Sequence, residues 1–125
     1  MPFIEFLAPP MDEAMRQDAA GIVTESLCSA FGAGPQTMTV YFLDVPASHY
    51  AHAGKIGSSE SAQRVFVKVH AYRRDVSARR EAARALTSPL AKLLALPEAA
   101  ICIYFFDRAL DEVAHAGHLA SDKPA

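Results

Sequence analysis

The feature that most constrains this chain is an internal repeat with an offset of 63 residues. Tyr-Phe-Leu-Asp at 41–44 recurs as Tyr-Phe-Phe-Asp at 104–107, and Ala-His-Ala-Gly at 51–54 recurs unchanged at 114–117. The same offset also relates Phe3 to Phe66, Arg16 to Arg79, Thr24 to Thr87 and Leu27 to Leu90. Because these matches keep one order and one offset, they indicate two copies of one structural unit.

The chain length fits one domain that contains both copies. Its 125 residues are 51% hydrophobic and 21% charged, which is enough apolar material for a core and argues against disorder. We therefore expect a single domain over 1–125, made of two units at about 2–54 and 65–117. The Gly- and Ser-containing segment at about 55–64 is expected to link them.

The first unit is predicted to be strand, helix, strand. Residues 3–8 form a short apolar run closed by two prolines, which cannot continue a strand ladder. Asp12 is typical of a helix start and Gly32 of a helix end, with apolar residues at helical spacing between them. Residues 38–45 then predict a second strand.

The second unit repeats this order. Residues 65–72 predict a strand in which Lys68 and His70 interrupt the apolar residues. A helix is expected over about 75–96, followed by a final strand over 101–106.

Two consecutive β-α-β units are compatible with two α+β architectures. In one, each unit pairs its own strands in parallel through a right-handed crossover, and the units join into a four-stranded sheet backed by two helices. In the other, the strands interleave in the antiparallel order of ferredoxin-like domains. Periodicity does not separate the two. Either one leaves a sheet face poorly covered, so we expect an oligomer.

Charge and cysteine usage narrow the class of protein. The net charge of −2 and pI near 6.2 give no field that would favour nucleic acid or an anionic membrane. No stretch approaches the roughly 18 apolar residues of a membrane span. Cys28 and Cys102 lie in apolar runs, which is typical of reduced core cysteines. We therefore expect a cytoplasmic protein with no nucleic-acid or membrane partner.

Pro2 is the most informative single residue because it follows the initiator Met. Removal of that Met would leave a free secondary amine at the start of a strand. A free α-amino group has a pKa of roughly 7.7–8, and proline's lies higher, but burial and a nearby cation both favour the neutral form. Such an amine could act as general base or acid near neutral pH. The alternative is that this proline has no chemical role.

Three segments carry a resemblance to the tautomerase superfamily. They are Met-Pro-Phe-Ile-Glu-Phe at 1–6, Val-Tyr-Phe-Leu-Asp-Val-Pro at 40–46 and His-Tyr-Ala-His-Ala-Gly at 49–54. The second half, 65–117, is most similar to the branch of the cis-3-chloroacrylic acid dehalogenases and fused 4-oxalocrotonate tautomerases. The longer members of this superfamily are two fused β-α-β units that form homotrimers.

The resemblance implies a fold, an assembly and an activity. The fold would be the α+β tautomerase (MIF-like) fold, with a four-stranded sheet, two helices and a homotrimeric assembly. The activity would be Pro2-dependent keto–enol tautomerisation of a small 2-keto or enol carboxylic acid, without an external cofactor. Hydration, dehalogenation or decarboxylation would be related possibilities, because the same amine can deliver a proton or help to activate water.

The resemblance also assigns site residues. Arg73 and Arg74 would bind the substrate carboxylate, since guanidinium groups pair bidentately with carboxylates and their charge lowers an amine's pKa. Tyr104 and His115 would join Pro2 as catalytic residues, in the positions of a water-activating tyrosine and a carboxylate. The alternatives are exposed helix-start arginines, a half-buried strand tyrosine and a histidine with a structural role in a turn.

Some family features are missing. Val65 replaces proline at the start of the second unit, and Thr39 stands where shorter members carry an arginine. A catalytically degenerate relative, or a non-catalytic oligomeric binding module with a ferredoxin-like sheet, are therefore alternative hypotheses. Each histidine pair, at 49 and 52 and at 115 and 118, lies beside glycine without further ligands at a recognised spacing, so we expect no metal site.

Overall fold

A computed structural model describes residues 2–57 and 62–122 of the chain. The first half contains strand β1 (Phe3–Ala8), helix α1 (Glu13–Phe31), strand β2 (Thr39–Asp44) and a short hairpin of β3 (Ala51–His52) and β4 (Lys55–Ile56). The second half contains β5 (Val65–Tyr72), α2 (Val76–Leu94), β6 (Ile101–Arg108) and a short hairpin of β7 (Ala114–His115) and β8 (His118–Leu119).

The four long strands form one mixed sheet in the order β2-β1-β5-β6. β1 pairs with β2 in parallel and β5 pairs with β6 in parallel, so each half joins its own strands across its helix. The two halves meet through antiparallel pairing of β1 and β5, with Phe3 opposite His70. This order confirms the α+β arrangement of two tandem β-α-β units and excludes the interleaved ferredoxin-like order.

One face of the sheet packs against both helices. Ile4 and Phe6 of β1 and three valines of β5 point to this face and are fully or almost fully buried. The helices contribute the same repeat positions from each half, at Ala19 and Ala82, Val23 and Leu86, and Leu27 and Leu90. Full burial of each larger apolar side chain stabilises the fold by about 1.5–3 kcal/mol. The opposite sheet face has no helix against it.

The duplication extends to the helix ends. Asp12 caps α1 by accepting a hydrogen bond from the Met15 backbone N–H at 2.8 Å, and Asp75 caps α2 in the same way from Ala78 at 2.8 Å. Both helices end at a residue in the left-handed conformation. That residue is Gly32 after α1 (φ 67°) and Ala95 after α2 (φ 54°).

Several boundaries differ from the expected ones. β6 continues to Arg108, two residues beyond the expected end, and α2 ends at Leu94 after running through Pro89. Residues Lys55–Ile56, expected in the linker, form β4 instead, and residues 58–61 lie outside the described part of the chain. Both cysteines are half-buried and unpaired.

No helix in the described ranges is both long and apolar enough to cross a bilayer.

Candidate active site

Pro2 lies at one edge of the sheet, directly before β1. It is buried, and its carbonyl oxygen accepts a hydrogen bond from the Thr39 N–H at 3.3 Å. Because Phe3 pairs with His70 in an antiparallel ladder, the chain before Phe3 runs beside the carboxyl end of β5. β6 is parallel to β5, so its carboxyl end at Arg108 lies at the same edge.

A pocket of about 310 Å³ opens at this edge. Its walls come from β1, β5, the end of β6 and the segment leading into the last hairpin, and include Phe3, His70, Tyr72, Arg108, Glu112 and Ala114. The pocket therefore combines aromatic surface with a cation, an anion and an imidazole, next to the strand that begins after Pro2.

Arg108 is the guanidinium group of this pocket. It is exposed, and within residues 2–57 and 62–122 it has no hydrogen-bond or ion-pair partner. Arg73 and Arg79 differ, because each places an Nη1 3.0 Å from Oδ2 of Asp107. A guanidinium without a carboxylate partner is free to bind a carboxylate ligand.

The two arginines predicted to bind substrate lie at the same edge of the sheet, just after β5. Arg73 is 71% exposed and ion-paired to Asp107. Arg74 donates a hydrogen bond from Nη1 to the Tyr72 carbonyl at 2.8 Å and places its guanidinium carbon 4.9 Å from the Phe31 ring centroid. Neither side chain lines the pocket, and both are engaged within the protein.

Tyr104 and His115 lie in different places relative to the pocket. Tyr104 is on the open sheet face, 56% exposed, with its ring centroid 6.0 Å from that of Phe66 and four residues before Arg108. His115 is exposed in β7, next to Ala114 of the pocket wall, and opposite His118. The structure therefore brings His115 to the rim of the pocket and leaves Tyr104 away from it. In the described segments, no three His, Cys, Asp or Glu side chains cluster as metal ligands.

A charged cluster on the open face adjoins the pocket. Oε2 of Glu5 lies 2.6 Å from Nε2 of His70 and 3.3 Å from Nζ of Lys68. The hydrogen bond with His70 holds the pKa of Glu5 below its ordinary value, with Lys68 assisting and partial burial opposing. Glu5 is therefore an ionised carboxylate at neutral pH, hydrogen-bonded to an imidazole of the pocket wall.

Aromatic rings enclose that imidazole on both sides. The His70 ring is stacked on Phe3 at 5.1 Å and 16°, and on Phe106 at 4.6 Å and 19°. Tyr41 extends the row with an edge contact to Phe3 at 5.9 Å. Each of the four strands thus contributes one ring to a row beside the pocket.

Sequence reasoning missed Glu5, His70 and Arg108 as site residues. The available signal for the first two was polar interruption of apolar strands: alternate residues face opposite sides of a sheet, so these polar residues share the face away from the core. Arg108 lay beyond the expected end of its strand, so its placement required the structure.

The sequence matches no protein-family model and no curated protein. Solved structures do match the fold. A fused 4-OT that forms an asymmetric trimer is 15% identical with a TM-score of 0.87, over 95% of this chain and 96% of that one. A member of the cis-3-chloroacrylic acid dehalogenase family is 18% identical with a TM-score of 0.80, over 94% of this chain and 82% of that one. The protein Pt0534, solved after inactivation by 2-oxo-3-pentynoate, is 16% identical with a TM-score of 0.81, over 96% and 95%. The fold is therefore that of tautomerase-superfamily structures with two fused units.

Proposed function

We propose that this protein is an enzyme that uses Pro2 to catalyse keto–enol tautomerisation of a small 2-keto or enol carboxylic acid. The observation that carries this proposal is the position of Pro2, buried at the edge of the sheet where a pocket contains the unpaired guanidinium of Arg108. The likeness to fused tautomerase structures supports it. We further propose that the chain is one domain of two repeated units, at about 2–54 and 65–117, and that it acts in the cytoplasm.

The mechanism begins with removal of Met1, which leaves Pro2 as a secondary amine. Burial and the positive charge of Arg108 both favour the neutral form of that amine. The neutral amine takes a proton from C3 of the keto acid, and the resulting ammonium returns a proton to C3 of the enol. Arg108 binds the substrate carboxylate and stabilises negative charge that develops on the enolate.

We infer a homotrimer in which the open sheet face is covered by neighbouring copies. This face exposes several large apolar side chains, namely Phe3, Tyr41, Leu43 and Tyr104. Apolar surface of this extent marks an interaction surface. The trimeric fused 4-OT of the same fold supports three copies. Tyr104 lies on the face that assembly would cover and His115 lies at the pocket rim, so both remain proposed catalytic residues.

Exchange of Pro2 tests the chemistry directly. The intact mass must first establish that Met1 is absent, since an acylated Pro2 has no basic nitrogen. Pro2→Ala should then slow enol–keto exchange of phenylpyruvate by at least about tenfold, because the amine is the proton-transfer group. An electrophile such as 2-oxo-3-pentynoate should label the amino terminus of the wild-type chain and abolish its activity.

Val65→Ala is the matched control, because Val65 holds the equivalent position in the second unit. Its nitrogen is an ordinary amide, so the variant should lose about 2 kcal/mol of stability through the cavity it creates and keep its activity. If Pro2→Ala exchanges phenylpyruvate as fast as wild type, the catalytic proposal is wrong and a degenerate relative is the better description.

A further inference from the structure

The proposed chemistry needs a proton at two atoms, and the pocket contains a second group suited to proton transfer. Enolisation removes a proton from C3 and adds one to the oxygen on C2, so one amine serves only half of the reaction. Among the residues of the pocket wall, His70 carries the imidazole, the side chain whose charge most readily changes between pH 5 and 8.

The hydrogen bonding of His70 divides its two ring nitrogens. Nε2 is engaged with Oε2 of Glu5 at 2.6 Å, whereas Nδ1 has no protein partner within the described ranges. A carboxylate on one nitrogen fixes the tautomer of the ring and stabilises the protonated imidazole. The other nitrogen is then free to exchange a proton.

The ring is also held in one orientation. Phe3 and Phe106 stack on its two faces, and Lys68 holds the Glu5 carboxylate from the other side at 3.3 Å. A proton-transfer group fixed before substrate arrives spends no further ordering entropy during the reaction.

Strand geometry brings His70 close to Pro2. Phe3 and His70 are opposite each other, and Pro2 is one residue further along β1. With a rise of about 3.4 Å per residue and Cα atoms about 5 Å apart across the ladder, the Cα atoms of Pro2 and His70 lie roughly 6 Å apart. The Pro2 nitrogen belongs to the backbone, so it lies in the plane of the sheet whichever face its ring takes.

We propose that His70, positioned by Glu5, is the second acid–base group of this pocket and exchanges a proton with the oxygen on C2 of a 2-keto acid. This inference rests on the proposed function of Pro2. In ketonisation, Nδ1 of neutral His70 takes the enol O–H proton as the C2–O double bond forms. The C2–C3 double-bond electrons take a proton from the Pro2 ammonium. The products are the keto acid, a protonated His70 and a neutral Pro2, and proton exchange with water restores both groups.

Substitution of His70 should separate its chemistry from its packing. His70→Phe keeps an aromatic ring between Phe3 and Phe106 but removes both nitrogens, and should lower kcat for phenylpyruvate by about a hundredfold. KM should change little, because carboxylate binding remains with Arg108. Labelling of the amino terminus by 2-oxo-3-pentynoate should persist, because Pro2 and the pocket are intact.

Two further variants test the same assignment without depending on His70→Phe. His70→Ala should recover part of its kcat in added imidazole, which a purely structural residue would not allow. Glu5→Gln keeps a hydrogen-bond acceptor and should lower kcat by about tenfold, again with little change in KM. His52→Gln, an exposed histidine of the first hairpin, is the matched control and should behave as wild type.

The outcomes distinguish this inference from the function on which it rests. A wild-type protein that neither exchanges phenylpyruvate nor is labelled overturns both. A wild-type protein that does both, with His70→Phe at full kcat, overturns only the role of His70. Loss of activity in His70→Ala without imidazole rescue, together with loss of labelling, assigns His70 a structural role and also overturns the inference.

Discussion

The two halves of the molecule share a backbone but not a chemistry. Their sheet has an approximate twofold axis that passes between Glu5 and Lys68, which are opposite each other in β1 and β5 and occupy equivalent repeat positions. The edge of the sheet that holds Pro2 is therefore matched, across this axis, by an edge that holds Val65. Even at the axis the two halves differ, because one contributes a carboxylate and the other an ammonium group.

Every proposed site group has an apolar counterpart at the second edge. Pro2 corresponds to Val65, His70 to Leu7 and Arg108 to Val45. A smaller pocket of about 220 Å³ on the open face is lined by Leu7 and by Phe66, the counterpart of Phe3. Duplication thus preserved the packing of both edges, while polar groups suited to acid–base chemistry occur together at one edge.

The difference shows which properties the repeat constrains. Buried helix positions, caps and sheet pairing recur in both halves because each unit must cover the same face of one sheet. Side chains at the edges of the open face are not held by that packing. They differ between halves, and the proposed function depends on them.

The largest effect on the comparison of edges is expected from Arg108. Arg108→Ala removes the pocket guanidinium and should raise KM for phenylpyruvate about ten- to a hundredfold, because a charged hydrogen bond contributes about 1.5–3 kcal/mol. Steady-state kinetics of this variant beside Arg73→Ala and Arg74→Ala identify the carboxylate-binding residue. Since Arg73 and Arg74 are engaged by Asp107 and Tyr72, their effects should be smaller.

Arg84→Ala is the control for these variants, since Arg84 lies on the helix surface and pairs only with Glu81. If Arg73→Ala or Arg74→Ala raises KM while Arg108→Ala does not, the carboxylate binds as the family resemblance implies and the pocket assignment to Arg108 is wrong.

A second prediction concerns the helix ends, where the halves differ by one methyl group. Gly32→Ala should cost about 1 kcal/mol, because alanine is strained at φ 67° even though no atom lies within 4 Å of the added Cβ. Ala95→Gly should stabilise the second helix by up to about 1 kcal/mol for the same reason.

Thermal unfolding of both cap variants checks this comparison, with shifts in Tm of about 4 °C in opposite directions. Gly21→Ala lies inside α1, where the added Cβ also meets nothing, and should stabilise the protein instead. If both glycine variants shift Tm in the same direction, backbone conformation does not explain the difference between the helix ends.

Much of the fold could be predicted from the sequence because the same signals occur twice. The bounds of β1 and β5 were predicted exactly as they occur, from apolar runs with clear stops, and Asp12 and Asp75 marked both helix starts. The pairing of strands could not be derived from periodicity. It depends on contacts between residues that are far apart in sequence.

The candidate site was less predictable. Pro2 is visible from its position alone, and the resemblance directed attention to Arg73 and Arg74. The groups that surround the pocket come from β1, β5 and β6, and only the pairing of those strands brings Glu5, His70 and Arg108 together. A sequence pattern records which face a strand residue takes, but not which residues of other strands lie beside it.

The smallest effect is expected at the centre of the sheet, where Glu5 lies on the approximate axis. Its pKa is below the ordinary value, chiefly because of the hydrogen bond with His70, so the unfolded chain binds more protons at Glu5 than the folded chain does. Its stabilising contribution is therefore complete above the unfolded pKa of about 4.3, and is lost as the pH falls through the lower, folded value. The difference in Tm between wild type and Glu5→Gln should accordingly be largest at neutral pH and should shrink below pH of about 4. Glu81→Gln, on the exposed helix surface, is the control for loss of a carboxylate. A Tm difference for Glu5→Gln that stays constant from neutral to acidic pH would mean that the contacts with His70 and Lys68 do not stabilise the folded state, and the centre of the sheet would then be no more polar in its energetics than its two edges.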